Sequence, residues 1–273
     1  MIYGKTFLTK RGIASPFLEA VILLACTLEL TKEKLFMDYP ENVDTESVAE
    51  YKNKLKDRAK GIPTAYITKQ KEFFGLTFFV DSRVLIPRPD TEIIIESVAE
   101  LITENKNLKT LHDCCTGSGC IPITLKNLFP ELIITASDIS PDVRQVFEKN
   151  CDNLLQTRIN FYLSDLFSKI PHKYDIITAN PPYLTSLEVR KMKEQKSIEP
   201  ELGLNGGQNG TEVLKRLIEE GINSLNSNGF IVVEAAIDQI DFLINFMQNF
   251  PCKDVYSKKD LTGRNRIVIG QKI

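Results

Sequence analysis

Thr110-Leu111-His112-Asp113-Cys114, Cys115-Thr116-Gly117-Ser118-Gly119 and Cys120-Ile121 form the stretch whose reading decides the fold. A short strand runs into a loop with two glycines, and the loop enters a helix expected over 119–128. Gly117 and Gly119 let the backbone come close to a ligand, and a loop entering a helix presents N–H groups. Taken alone, the segment serves equally well as a tight strand-to-helix turn, which needs small residues in any case. The residues after it break the tie. Strand patterns at 132–137, 159–163, 174–179, 230–234 and 266–269 alternate with helix patterns at 141–154, 212–225 and 239–249. That alternation is the mark of an α/β, Rossmann-like doubly wound sheet, mainly parallel.

In such sheets ligands bind beyond the carboxyl ends of the strands, so the residues just past each strand are the candidate ligand contacts. Asp138 closes the strand after the glycine loop, where an acid can hold both ribose hydroxyls of an adenosine. Its other reading is an N-cap, for which Ser140 before Pro141 is the better candidate. Ser164-Asp165-Leu166-Phe167 ends the third strand: Asp165 can accept from an adenine amino group while Leu166 and Phe167 line the ring. A turn with two core residues explains Leu166 and Phe167 equally well. The fourth strand ends in Asn180-Pro181-Pro182-Tyr183. Two prolines remove backbone donors, Asn180 adds an amide oxygen and Tyr183 a flat ring, so the turn suits a planar NH2 group. An ordinary turn or a proline-rich linker would use the same residues.

The remaining composition narrows the class. Lys plus Arg is 34 against 36 for Asp plus Glu, so no global charge draws the chain to a nucleic-acid backbone. Six cysteines without CxxC spacing, and only two histidines, indicate neither a zinc site nor a disulfide framework. With no signal-type leader or membrane-length apolar run, the expected location is the cytoplasm. Residues 1–72 read as a helical block. Ser15 is its candidate N-cap ahead of Pro16, and a second amphipathic helix follows Thr45. Two short β-type runs, 73–81 and 84–86, are expected to pair as a hairpin around Asp81-Ser82-Arg83, making 73–88 a linker. Residues 89–273 are then expected to form the α/β block.

The joint pattern at four strand ends resembles class I methyltransferases that bind S-adenosylmethionine. The Rossmann dehydrogenase alternative is weaker, because the loop lacks full GxGxxG spacing. More closely, the chain resembles the release factor glutamine N5-methyltransferase family, also called PrmC or HemK. The marks are Gly61-Ile62-Pro63, Arg88-Pro89-Asp90-Thr91-Glu92, the glycine loop, Asn180 to Tyr183, Gly206-Gly207 and Asp260-Leu261-Thr262-Gly263-Arg264. The resemblance implies a seven-stranded sheet, a helical N-terminal domain that recognises the substrate, and methylation of the GGQ glutamine in class I peptide chain release factors. It further implies cofactor contacts from Asp113, Cys115, Thr116, Gly117, Ser118, Gly119, Asp138, Asp165, Leu166 and Asn180. Asn180, Pro181 and Tyr183 are the implied catalytic residues, and Pro182, Arg88 and Glu92 join them in holding substrate. No metal, membrane or direct nucleic-acid contact is expected, and the acting form is expected to be a monomer.

Departures from the family carry expectations of their own. The family usually has Gly where Cys115 stands, so a Cβ restricts positive φ and crowds the methionine moiety, and weaker cofactor affinity is expected. Glu234-Ala235-Ala236 replaces the usual Glu-Ile-Gly or Glu-His-Gly. Two rivals remain at this level. An adenine N6-methyltransferase for DNA or RNA would share Asn-Pro-Pro-Tyr but lack the Arg88 to Glu92 segment; a non-catalytic binding module would keep the fold alone.

Overall fold

Apolar side chains spaced three and four apart shape the first seventy residues into helices: α1 Ile2–Thr9, α2 Pro16–Thr27, α3 Lys32–Met37, α4 Thr45–Ala59 and α5 Thr64–Thr68. The computed structural model describes residues 1–37 and 42–273, so the part of the expected 1–72 block that falls on 38–41 lies outside it. These helices belong to a unit made of Met1–Gln70 with Gln195–Ile198. Its core gathers Leu8, Leu23, Leu24, Leu35, Tyr51 and Leu55. Glu19 is held by Arg58 and accepts from the Thr64 hydroxyl at 2.8 Å, joining α2, α4 and α5. Asp44 caps α4, its carboxylate accepting from the Ser47 N–H at 2.8 Å. Ser15 stands before Pro16 as expected, but with φ +52° its side chain makes no cap bond.

The second unit comprises Lys71–Glu194 and Glu199–Ile273. Its hairpin pairs β1 Gln70–Phe73 with β2 Leu76–Phe79, earlier than the sequence pattern suggests. The physical reason is the turn: Phe74 at φ +46° and Gly75 at φ +76° supply the two positive dihedrals that a tight hairpin needs. Val84–Ile86, read as the second strand, lies outside any strand. Instead Asp81 turns the chain by accepting from the Arg83 backbone at 3.1 Å and its guanidinium at 2.6 Å.

Then follow α6 Glu92–Glu104, β3 Thr110–Cys114, α7 Cys120–Leu128, β4 Ile133–Asp138, α8 Pro141–Leu154, β5 Asn160–Leu163, β6 Tyr174–Ala179 and α9 Ser186–Glu194. The chain closes with α10 Glu212–Asn223, β7 Leu225–Glu234, α11 Ile240–Met247, β8 Cys252–Lys259 and β9 Asn265–Lys272. The seven-stranded sheet has the order β5-β4-β3-β6-β7-β9-β8. β3 pairs in parallel with β4 and β6, whereas β9 runs antiparallel to both β7 and β8. Because strand order reverses beside β3, a crevice opens there at the carboxyl ends. β8 was invisible to apolar patterning: Cys252-Lys253-Asp254-Val255-Tyr256-Ser257-Lys258-Lys259 is a polar edge strand.

The central strands are buried on both faces and are correspondingly apolar, with Leu111, Ile134, Ala136, Ile176, Ile177, Val232 and Ile269 all inside. One buried exception is His112, whose ring nitrogens lie 2.7 Å from the Thr135 hydroxyl and 2.9 Å from that of Ser137. Burial pushes its pKa down to about 3, so it is a neutral core group. No described helix is long and apolar enough to cross a membrane.

Candidate active site

The glycine loop, the ends of β4 and β6 and the loop after β5 surround a cavity of about 250 Å3. Cys115, Thr116, Gly117 and Ser118 form one wall; Asp138 with Ile139, Asp165 with Leu166, and Asn180 with Pro182 form others. Arg88 and Thr91 approach from the segment before α6.

The loop N–H groups are not all turned to the cavity as the sequence suggested. Thr116 N–H donates to Ser137 O at 3.0 Å, Gly117 N–H to Asp138 Oδ2 at 3.0 Å and Gly119 N–H to Thr116 O at 2.9 Å. Asp138 Oδ1 accepts from Ser140 N–H at 3.0 Å, so this carboxylate braces both its own turn and the glycine loop. Burial raises its pKa against the pull of these backbone donors. Each oxygen keeps a second lone pair for a ligand. Ser140 occupies the N-cap position of α8 but makes no side-chain cap bond.

Asp113 sits beneath the loop, fully buried and off the cavity wall. It accepts from the Thr178 hydroxyl at 2.7 Å, and burial pushes its pKa up to about 7. The Thr116 hydroxyl lies close enough to act on the same carboxyl without completing a hydrogen bond. Gly119 is also off the wall. At φ +82° it begins α7, and a Cβ there would stand 2.7 Å from the Phe147 ring and 2.8 Å from Ile123 Cδ1. Gly119→Ala is therefore expected to cost about 3 kcal/mol in urea unfolding, adding left-handed strain to overpacking. A cost below about 1 kcal/mol would show that the loop relaxes freely.

Cys115 adopts φ +60°, the left-handed conformation that explains why glycine is usual at this place. Its Sγ lies 4.0 Å from that of Cys114, and this neighbour together with burial holds the thiol protonated. Cysteine pays the left-handed strain with a single γ atom, whereas a β-branched residue would crowd the turn further. Cys115→Gly should leave stability within about 1 kcal/mol, and Cys115→Val should cost about 2 kcal/mol or more. Thermal unfolding of the two variants decides this; equal melting temperatures would remove the dihedral as the constraint.

After β5, Asp165 Oδ2 accepts from Arg216 at 3.1 Å, and Leu166 lines the cavity. Phe167 turns away into the core beside His112. At the end of β6, Asn180 Nδ2 donates to Thr91 Oγ1 at 3.1 Å. With its NH2 engaged, Asn180 keeps Oδ1 as an acceptor. Pro181 and Tyr183 do not line the cavity. The Tyr183 ring packs on the core, its hydroxyl donates to Glu234 Oε1 at 3.4 Å, and burial pushes its pKa up to about 12. Gln239 Nε2 donates to Tyr183 O at 2.9 Å, fixing the turn from the other side. Gly206 packs so closely that a Cβ would stand 2.7 Å from Pro182 O.

The segment before α6 is braced as well. Arg88 pairs with Glu199 at 2.6 Å, and the Ile86 N–H donates to the same carboxylate at 3.3 Å. Glu92 is not on the cavity; its carboxylate accepts from the Phe74 N–H at 2.9 Å and so holds the hairpin turn. Arg266 joins Asp90 at 2.8 Å to Asp260 at 3.5 Å. Asp260 in turn accepts from the N–H groups of Thr262 and Arg264, which gives the Asp260 to Arg264 motif its purpose. Sequence reading missed Thr91, Ile139, Val213 and Arg216 on the cavity wall. Only Thr91 carried a signal, being the one hydroxyl in the segment that sets this chain apart.

The fold is shared with solved methyltransferases. A methyltransferase from Pyrococcus furiosus superposes with TM-score 0.53 at 16% identity, covering 80% of this chain and 98% of that one. The hMettl16 catalytic domain gives 0.57 at 18%, covering 81% and 82%. Within this class, residues 1–68 match the model for a PrmC N-terminal domain and residues 91–200 that for a methyltransferase small domain. Release factor glutamine methyltransferase from Koribacter versatilis is 37% identical over 262 residues, 94% of this chain and 92% of the relative. That from Leptospira interrogans is 37% identical over 271 residues, 97% and 94%. The chain belongs to the release factor glutamine methyltransferase family.

Proposed function

We propose that the chain transfers a methyl group from S-adenosylmethionine to the side-chain amide nitrogen, N5, of a glutamine in a peptide chain release factor. The glutamine is that of the GGQ loop of class I factors; S-adenosylhomocysteine leaves as the second product, and the methylated nitrogen loses one proton to solvent after transfer. The observation that carries this reading is Asn180 at the switch point, its NH2 held by Thr91 and its oxygen left to accept from a planar NH2.

The residues present fit the methyl donor. Gly117 has open space where a Cβ would stand, Asp138 closes β4 with lone pairs to offer, and the buried Thr116 hydroxyl on the cavity wall, near Asp113, completes no hydrogen bond among the described residues. Asp138 would hold the ribose hydroxyls, Ile139 and Leu166 the faces of the adenine, and Asp165 its amino group. Bound S-adenosylmethionine supplies a methyl group on a sulfonium sulfur, already electrophilic without a metal. An amide nitrogen is a poor nucleophile because its lone pair is delocalised, so this chain's part is orientation. Asn180 Oδ1 accepts from one N–H of the substrate amide and holds the nitrogen to one direction, while Pro181, expected to supply the second acceptor, stands off the cavity wall. Such orientation is worth roughly 7 to 11 kcal/mol in favourable cases. Arg88, held by Glu199, would meet the substrate backbone. The first unit would recognise the release factor, and the acting form is proposed as a cytoplasmic monomer.

Methyl transfer from labelled donor to purified release factor, to the same factor with its GGQ glutamine replaced, and to DNA tests the reading. Label in the first alone is expected. Label in DNA but not protein would replace it by the adenine N6 alternative, and donor binding without transfer to any acceptor would make the chain a binding module.

A further inference from the structure

A buried carboxyl lies behind the Asn180 to Tyr183 turn, outside the cavity. Glu234, the last residue of β7, is 1% exposed. Its Oε1 accepts from the Tyr183 hydroxyl at 3.4 Å, and its Oε2 completes no hydrogen bond among the described residues. The Thr91 hydroxyl, which accepts from Asn180 Nδ2 at 3.1 Å, lies near the same carboxyl and pulls its pKa down without completing a hydrogen bond to it. A buried acid with one oxygen unfilled costs stability, and such groups are kept at functional sites more often than in plain cores.

The chemistry of these three groups is directional. A hydroxyl has one proton, whereas an ionised carboxylate only accepts. Facing a carboxylate, the Thr91 hydroxyl points its hydrogen toward Glu234 and turns a lone pair to Asn180. Asn180 must then present NH2 to Thr91 and Oδ1 to the cavity. If Glu234 is protonated, it can donate to the Thr91 oxygen and compete with Asn180 for that lone pair. The amide can then turn over and offer NH2 where an acceptor is needed. On the other side of the turn, the same carboxyl holds Tyr183. We propose that Glu234 is the positioning residue of the transfer site: through Thr91 it fixes which face of the Asn180 amide meets the substrate, and directly it anchors Tyr183. The proposal rests on the reading of Asn180 as the acceptor for the substrate amide.

The surroundings allow the carboxyl to change its charge near neutral pH. Burial pushes its pKa up to about 7, opposed by Thr91 and by Arg266, while Asp90 adds to the rise. Tyr183 and Cys120 also face it. Arg266 is itself shared with Asp90 and Asp260, so Glu234 has no charge partner of its own among these groups.

Glu234→Gln, Thr91→Val and the double variant, with Thr91→Ser as the conservative control, test the proposal through the pH dependence of kcat. Wild type should lose kcat as pH falls through about 7. Glu234→Gln should lose this acid limb and about tenfold in kcat above it, with the donor Kd by calorimetry within about twofold. Thr91→Val should lose as much, the double variant no more than either, and Thr91→Ser should behave as wild type. An unchanged acid limb in Glu234→Gln, or losses that multiply in the double variant, would overturn the relay and leave two separate structural effects. The Asn180 side-chain NH2 signals in 15N NMR, assigned by their absence in Asn180→Ala, give a readout that needs no acceptor protein. They should titrate with pH in wild type and not in Glu234→Gln. A titration with no release-factor methylation would sink the functional reading alone; signals that titrate alike in both proteins would sink the relay.

Discussion

Asn180→Ala is expected to lower methyl transfer by about a thousandfold or more while changing the donor Kd by only a few-fold. The truncation removes the one side-chain acceptor that the turn offers to the substrate amide. It also frees the Thr91 hydroxyl without disturbing the glycine loop or Asp138, the groups proposed to hold the methyl donor. Orientation is the main thing the site can contribute to an amide nitrogen, so the loss should fall on kcat. Asn180→Asp makes the comparison sharper. It keeps an acceptor but has no NH2 for Thr91 and sets a new charge close to the buried Glu234, so it too should be strongly impaired. Single-turnover transfer with saturating donor and release factor, beside calorimetry for donor alone, separates the effects. Normal turnover by Asn180→Ala would remove the residue from the reaction; a donor Kd raised a hundredfold would reassign it to the cofactor site.

The strand ends could be read from sequence because they combine two local signals, an apolar strand and a special residue type just after it. Gly117, Asp138, Asp165, Leu166, Asn180 and Pro182 all meet on one cavity for that reason. What escaped reading depends on chain-distant partners. Nothing in Glu234-Ala235-Ala236 announces that Tyr183, 51 residues away, will donate to that carboxyl. Glu92 has the chemistry of a substrate ligand but is taken by the Phe74 N–H, a partner chosen by where the hairpin folds. That hairpin was itself misplaced because Phe78, Phe79, Val84 and Ile86 look alike in apolar pattern, while the deciding signal is the pair of positive dihedrals at Phe74-Gly75. The edge strand β8 was missed because its exposed side chains carry no alternation strong enough to separate it from a loop. The positive φ of Cys115 was foreseeable only by way of the family's glycine, since cysteine itself carries no such preference.

Asp138→Ala carries the second large effect, and its two consequences have different causes. Removing the carboxylate leaves the N–H groups of Gly117 and Ser140 without their acceptors, at about 1 to 3 kcal/mol for the pair in the protein without ligand. If Asp138 holds the two ribose hydroxyls, its removal should separately weaken the donor by about a hundredfold, the worth of two hydrogen bonds to a charged group. Asp138→Asn tells these apart. Its single oxygen can still accept from one of the two backbone donors, so part of the stability returns. Its NH2 has nothing to accept with, and the ribose hydroxyls meet a donor where they need an acceptor, so affinity does not return. Urea unfolding without donor measures the first quantity, and calorimetry with S-adenosylhomocysteine the second. Unchanged affinity in both variants would leave Asp138 as a brace for the glycine loop and take it out of the ribose site. An affinity that recovers in step with stability from Ala to Asn would show that the carboxylate serves the ligand only by holding the loop in shape.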